Sequence, residues 1–254
     1  MRFAVIGESC VDEYIYGTCD RVCPEAAALC FKNNGLKKTS FGMAANVVNN
    51  IRAIDNSVDI DLITNNYNSS LIIKRRFIDT KYNTIVFRED TNDSCQHIDL
   101  KKYDFSKYDC VIFSDYCKGF ITDQDIIDIC QRSNSNSYKF IDTKKTLGPF
   151  IEYMNFVKIN SEEFNNNKHN IEYITNQTKL IVTKGDCGAE LYDGDTIKHY
   201  PTKKINLRDV CGAGDTFLAG LVVKFMQTKD IDLSINYANE CSSIVVSKLG
   251  VCTI

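Results

Sequence analysis

Short apolar runs, spaced by longer segments of mixed polarity, set the rhythm of this chain. Arg2 to Ile6, closed by Gly7, reads as a buried strand ending in a turn. Similar runs recur at Val58–Ile63, Cys110–Phe113, Tyr138–Ile141, Phe156–Ile159 and Lys179–Thr183. Between several of them the apolar positions switch to a 3.6-residue spacing, which predicts helices over Met43–Ile54 and Asp123–Cys130 and a long one from Gly214 through Phe-Leu-Ala-Gly-Leu-Val-Val-Lys-Phe-Met-Gln. Strand and helix in alternation predict an α/β fold, a mostly parallel sheet with helices on both faces. Two stretches break the rhythm: residues 12–39 and 72–90 carry alternating, β-rich runs, which predict a small sheet projecting from the α/β body. The Asn-rich stretches 133–137 and 165–170 read as surface loops, and no internal repeat is visible.

Composition narrows the function more than the fold. The 254 residues suffice for a single domain spanning 1–254. Hydrophobic residues make up 44% and charged ones 25%, the profile of a globular protein. The formal net charge is −3 with no basic block, so neither nucleic acid nor an anionic membrane is expected as a partner. A slightly acidic protein that handles phosphates must therefore build positive potential locally. Twelve cysteines are many, but several sit in apolar runs, no Cys-x-x-Cys pair occurs, and the three histidines are far from any cysteine cluster. That pattern favours reduced cysteines acting as small hydrophobes over a zinc site. The N-terminus does not read as a secretory signal, and no run reaches the roughly 18 apolar residues of a membrane span, so a cytoplasmic protein is expected.

The strongest chemical signal is Asp209-Val-Cys-Gly-Ala-Gly-Asp215-Thr-Phe-Leu-Ala-Gly. A Gly-rich turn opening an apolar helix aims backbone N–H groups, and the positive end of the helix dipole, at whatever lies above it. Such a cradle suits the equatorial oxygens of a phosphoryl group in transfer. Asp215 stands where a carboxylate reaches an attacking hydroxyl, a role that typically contributes about 100- to 10,000-fold. Taken alone, the same letters serve equally a plain helix-start turn with an N-terminal charge. The chain has no G-x-x-x-x-G-K-[ST] sequence, which excludes an ordinary Walker P-loop.

This stretch resembles the signature of the ribokinase (PfkB) carbohydrate kinase family, and Phe41-Gly-Met-Ala-Ala-Asn46-Val resembles its Gly-Gly segment. Gly7-Glu-Ser-Cys-Val-Asp12, Arg21-Val-Cys-Pro24-Glu25, Phe113-Ser-Asp115-Tyr116-Cys-Lys118-Gly119 and the ending from Ala238-Asn239 to Gly250 are similar to the D-glycero-β-D-manno-heptose 7-phosphate kinases. The resemblance implies a ribokinase-like three-layer sandwich with a β lid drawn from about 12–39 and 72–90. It makes Asp215 the catalytic base and Gly212, Ala213 and Gly214 the anion hole. It places Asp12, Gly42 and Asn46 on sugar hydroxyls, which both donate and accept. On the ATP side it places Asp209, Gly212, Gly214, Lys184, Gly185 and Asn239, together with Asn160 and Glu163 of an N-x-x-E motif. Glu163 would serve Mg²⁺ through water, and a monovalent cation is a further cofactor that the family admits. A sugar that already carries a phosphate needs cations of its own. Lys74, Arg76 and Arg88 fall in segments resembling lid strands, and Lys144 and Lys145 follow Asp142.

Three departures qualify the resemblance. Met43 replaces the second glycine of the Gly-Gly segment, and Cys211 replaces the signature Thr. After Thr64 the sequence passes through Asn65-Asn-Tyr-Asn-Ser-Ser-Leu almost directly into Ile72, so on the order of two dozen residues of the family pattern are missing. The kinase part alone is expected, without the nucleotidyltransferase domain fused to it in some bacteria. The implied reaction is in-line transfer from ATP to the anomeric hydroxyl of the heptose 7-phosphate, giving the 1,7-bisphosphate for surface-glycan synthesis, with homodimerisation through the lid by analogy. A kinase of another sugar or nucleoside, and a non-catalytic binding protein of the same fold, stay open as alternatives.

Overall fold

The computed structural model describes residues 1–65, 71–203, 209–247 and 250–254. The chain opens with β1 (Arg2–Gly7), β2 (Ser9–Val22), β3 (Leu29–Met43), α1 (Ala44–Ile54) and β4 (Asp59–Ile63). It continues through β5 (Ile72–Asp79), β6 (Thr84–Thr91), β7 (Cys110–Asp115), α2 (Asp123–Arg132) and β8 (Tyr138–Thr143). Then come β9 (Phe156–Asn160), α3 (Ser161–Asn166), α4 (Ile171–Gln177), β10 (Lys179–Thr183), β11 (Ala189–Asp193) and β12 (Thr196–Tyr200). The last two elements are α5 (Ala213–Thr228) and α6 (Ile231–Val246).

Eight strands form the main sheet in the order β12-β11-β10-β9-β8-β7-β1-β4. From β10 to β4 every pairing is parallel, and β11 and β12 add an antiparallel edge. The apolar runs read as strands because both faces are covered. On β1, Phe3 and Val5 point into a core shared with α1, α5 and α6, whereas Ala4 and Ile6 point into a second core with α2 and α4. Phe140 and Phe156 stack at 4.9 Å on the first face, with Phe225 of α5 set edge-on against Phe156 at 4.7 Å. Burial runs along nearly the whole of α5, as befits a helix walled by the sheet, α1 and α6.

The second sheet, β3-β2-β5-β6, draws its strands from the β-rich stretches around residues 12–39 and 72–90, and some of them run past those bounds. β2 and β5 run parallel, and β5 is the next strand in sequence after β4 at the main-sheet edge. Most of the linking run after Thr64, residues 66–70, lies outside the described residues, as do residues 248 and 249 of the C-terminal match. Exposed Phe41, Ile85 and Phe87 lie on the lid.

Two local structures depart from the sequence expectations. The hairpin β11–β12 was not foreseen, although Asp193-Gly194-Asp195 marks its turn: Asp193 pairs with Thr196, and Gly194 takes φ 56°. Residues 165–170 were expected as a loop, yet α3 runs to Asn166 and a 3-10 turn covers Lys168–Asn170. No disulfide joins any of the twelve cysteines, and no group of three or more His, Cys, Asp or Glu among the described residues is disposed to hold a metal. No described helix is long and apolar enough to cross a membrane.

Candidate active site

The parallel strands end on one rim of the main sheet, where α/β folds place their ligands. A cleft of about 590 Å³ opens there, lined among others by Tyr116 after β7, Asp142 of β8, Lys158 and Asn160 of β9, Gly185 after β10, and Gly212 and Gly214. The Gly-rich turn enters it at the N-terminus of the sixteen-residue α5. Gly212 adopts φ 80°, a left-handed conformation that costs glycine nothing, and no side chain caps the helix start. Ala213 N donates to the Val210 carbonyl at 3.2 Å, and the next two N–H groups, of Gly214 and Asp215, are left for an anion.

Asp215, in the first turn of α5, is 3% exposed. Its Oδ2 accepts a hydrogen bond from Asn46 Nδ2 at 2.9 Å, and its Oδ1 accepts one from the Tyr116 hydroxyl at 2.6 Å. Asn50 Nδ2 in turn donates to Asn46 Oδ1 at 3.1 Å, which orients the Asn46 amide with its donor toward the carboxylate. Burial pushes the Asp215 carboxyl up to about 6, against the two hydrogen bonds that favour its charged form, with Asp142 raising it further and Lys158 lowering it. A carboxylate poised near neutrality suits a general base.

Lys158 donates to Asp142 Oδ2 at 2.7 Å, and both side chains are largely enclosed. A Cβ built on Gly214 would stand 3.0 Å from Lys158 Nζ, so this ammonium sits directly beside the Gly-rich turn. Burial alone would lower the Lys158 pKa, but the adjacent Asp142 carboxylate more than offsets that and holds it above the usual lysine range. Helix N-terminus, ammonium and carboxylate thus converge on one spot at the cleft wall. The chemistry such a spot can perform is to hold phosphoryl oxygens and to take a proton from a hydroxyl.

Residues 44–254 match the model of the pfkB family carbohydrate kinases. The chain belongs to that family. Along its full length it is 28% identical to bifunctional protein HldE of Sulfurimonas denitrificans, and it spans 62% of that protein. Among solved structures, ribokinase from Thermotoga maritima superposes with a TM-score of 0.71 at 15% identity, covering 98% of this chain and 94% of that one. Arabidopsis thaliana ribokinase complexed with ribose and ATP gives 0.68 at 12% identity, covering 98% and 93%. The fold is ribokinase-like, and as a pfkB member the chain is a carbohydrate kinase, a phosphotransferase acting on a sugar hydroxyl.

Around this cleft the sequence-predicted residues divide into three groups. Asp215, Gly212, Ala213, Gly214, Asn46, Lys144, Asn160, Glu163 and Gly185 come together at or beside the cleft. Lys74 reaches the same place from the lid, its Nζ 5.3 Å from the centre of the Tyr116 ring, and Lys144 Nζ lies 5.2 Å from that ring. Asn160 and Glu163 form a reciprocal capping box on α3, which occupies Glu163 Oε2 and leaves Oε1 facing Lys144 at 3.7 Å.

The second group pairs within itself. Asp12 Oδ1 accepts from Arg76, and both side chains, on the lid strands β2 and β5, are buried, with Gly42 so close that a Cβ there would meet Asp12 Oδ2 at 2.2 Å. Arg88 is held bidentately by Asp90 at 2.7 Å per contact, on the more exposed part of the lid. The third group serves neighbouring backbone or ion pairs. Asp209 accepts from the N–H groups of Cys211 and Gly250, Asn239 donates to the Tyr200 carbonyl, and Lys184 pairs with Glu190. Lys145 is likewise engaged, by Asp115 and the Ile121 carbonyl.

Met43 keeps the backbone that a glycine would have supplied. Its φ of 60° and ψ of −135° are conformationally costly for a side chain, by on the order of 1–3 kcal/mol. The side chain is buried against Cys10 and Ile72, with Tyr116 and Cys95 packed on the same cluster. Sequence reasoning assigned no role to Tyr116, Lys158, Asp142 or Asn50. Asn50 alone carried a local signal, since it lies one helical turn after Asn46.

Proposed function

We propose that this chain transfers the γ-phosphoryl group of ATP to the anomeric hydroxyl of D-glycero-D-manno-heptose 7-phosphate, giving the 1,7-bisphosphate for nucleotide-activated heptose and surface glycan. The observation that carries the transfer is the convergence of buried Asp215, the open start of α5 and the Lys158 ammonium at one wall of the cleft. The end-to-end similarity to HldE and the motifs shared with heptose 7-phosphate kinases favour the heptose. Lys74 and Lys144, both close to the Tyr116 ring, supply cations for a phosphate already on the acceptor; Lys144 has only a loose 3.7 Å pairing with Glu163, whereas Arg76 and Arg88 are taken up by Asp12 and Asp90.

In this mechanism Asp215 takes the proton from the anomeric hydroxyl as the sugar oxygen attacks the γ-phosphorus in line. The N–H groups of the Gly212–Gly214 turn and Lys158 Nζ hold the equatorial oxygens as charge builds. Lid closure would exclude water and limit wasteful ATP hydrolysis. Mg²⁺ fits the cleft only loosely: Asp142 is paired with Lys158 and Glu163 offers one unbonded oxygen, a donor set for outer-sphere contacts rather than an all-protein cage. When bound with the nucleotide, the ion would neutralise phosphate charge.

The test is ADP release by purified protein supplied with magnesium-ATP and a panel of acceptors. Turnover with heptose 7-phosphate well above that with ribose, fructose 6-phosphate or adenosine is expected. Turnover confined to another acceptor would replace the heptose reading with its nearest alternative. Buried Met43 and the Asp12–Arg76 pair favour that alternative, since both alter the wall that receives the sugar. We further propose that the lid's exposed Phe41, Ile85 and Phe87 join two copies of the chain. Sedimentation should then show a dimer that Phe87→Glu converts to monomer, and a monomer without the substitution would refute it.

A further inference from the structure

We propose that Tyr116 is the positioning residue that fixes the carboxylate of Asp215, and that the buried carboxylate of Glu8 holds Tyr116 in place through the backbone of the 116–120 turn. This rests on the reading of Asp215 as the base and assigns the machinery that aims it.

Glu8 follows β1 directly and has no exposed surface. A buried carboxylate needs partners, and those of Glu8 are backbone donors from one turn. Its Oε2 accepts from Tyr116 N at 2.8 Å, and its Oε1 accepts from Lys118 N at 2.9 Å and Phe120 N at 3.2 Å. Alternate N–H groups of a five-residue stretch therefore converge on one anion, as in an anion-binding nest. The turn bends sharply to allow it: Cys117 has φ 56°, Gly119 has φ 94°, and Asp115 Oδ1 accepts from Cys117 N at 3.0 Å. Without a charge at its centre this backbone would leave several buried N–H groups unpaired.

The side chain at the head of the turn is Tyr116. Its ring rests on the Cys10, Met43 and Ile72 cluster, and its hydroxyl donates to Asp215 Oδ1 at 2.6 Å. Asp215 is faced by Cys10 of β2, Asn46 of α1, Tyr116 after β7, Asp142 of β8 and Lys158 of β9. Among the described residues only Asn46 and Tyr116 hydrogen-bond its carboxylate, one on each oxygen. Each oxygen keeps a second lone pair, so a substrate hydroxyl can still donate to the carboxylate while Tyr116 holds it. A hydroxyl donor favours the ionised form of the base, and its loss raises the proton affinity of Asp215.

The experiment follows the carboxyl carbon of Asp215 by NMR in protein labelled with carbon-13 aspartate, its signal identified by loss in Asp215→Asn. In the unaltered chain its midpoint is expected near pH 6. Tyr116→Phe should raise it by roughly one to two pH units. Glu8→Gln should move it the same way, and adding Glu8→Gln to Tyr116→Phe should produce no further shift. Glu8→Asp, which keeps the charge but withdraws it by one methylene, provides the same reading if Glu8→Gln does not fold.

The acidic limb of the kcat–pH profile should move with the NMR midpoint, with KM for ATP unchanged. A midpoint that Tyr116→Phe leaves in place overturns the proposal. A Glu8 variant that lowers the melting temperature without moving the midpoint overturns the role given to Glu8. Because the titration needs no turnover, the expected shifts in a chain that moves no phosphoryl group would uphold the positioning and sink the kinase reading instead.

Discussion

Asp215→Asn should lower kcat by about 100- to 10,000-fold while leaving the fold and ATP binding intact. The substitution is nearly isosteric, and both neighbours accommodate it. Asn46 can still donate to the remaining carbonyl oxygen, and the Tyr116 hydroxyl can turn to accept from the new amide. What disappears is the carboxylate that both of them touch, the group able to take up the proton of an attacking hydroxyl. In the unaltered enzyme the base works only when ionised, and burial has raised its pKa to about 6. Activity should therefore be full above pH 7 and fall tenfold per unit as the pH drops below about 6, through protonation of this one carboxyl. Steady-state ADP release across pH 5–8 measures the limb, and the rise in melting temperature with ATP checks that the variant still binds nucleotide. Residual turnover within tenfold of the unaltered chain would remove Asp215 from the base role.

How far the sequence foretold this arrangement depends on how local each signal is. The central strands were legible because both faces of β1, β7 and β8 are buried, which leaves continuous apolar runs. The β11–β12 hairpin hid because its strands alternate with polar residues at an edge and its turn is only two residues long. Asp215 and the Gly-rich turn were legible since one helix start carries all of them. The rest of the wall comes from strand ends and the start of α1, far apart in the chain: Tyr116 reaches Asp215 across 99 positions and Asn46 across 169. No spacing rule joins such residues. Asp12 and Arg76 were both singled out as polar candidates, but only the parallel pairing of β2 with β5 brings them together as an ion pair. Glu8 drew no role of its own from the sequence because the donors that surround it lie more than a hundred positions away.

Lys158 should prove to be needed twice, and the two needs can be separated. Lys158→Met removes the ammonium beside Gly214 and also leaves Asp142 enclosed without its partner. Breaking a buried ion pair from one side typically costs about 3–5 kcal/mol, which for a chain of this size corresponds to a fall in melting temperature of roughly 10 °C. Adding Asp142→Leu removes the stranded charge, and replacing a whole buried pair by apolar side chains is often close to neutral. The double variant should therefore regain most of the lost stability. Activity should not return with it, since a donor aimed at the oxygens of the transferring group is still missing, a loss worth about 100- to 1,000-fold in kcat. Thermal melts and ADP release on the two single variants and the double would separate these effects. Recovery of both stability and turnover in the double variant would make Lys158 a structural partner of Asp142 and leave the helix start of α5 as the sole anchor for the phosphoryl group.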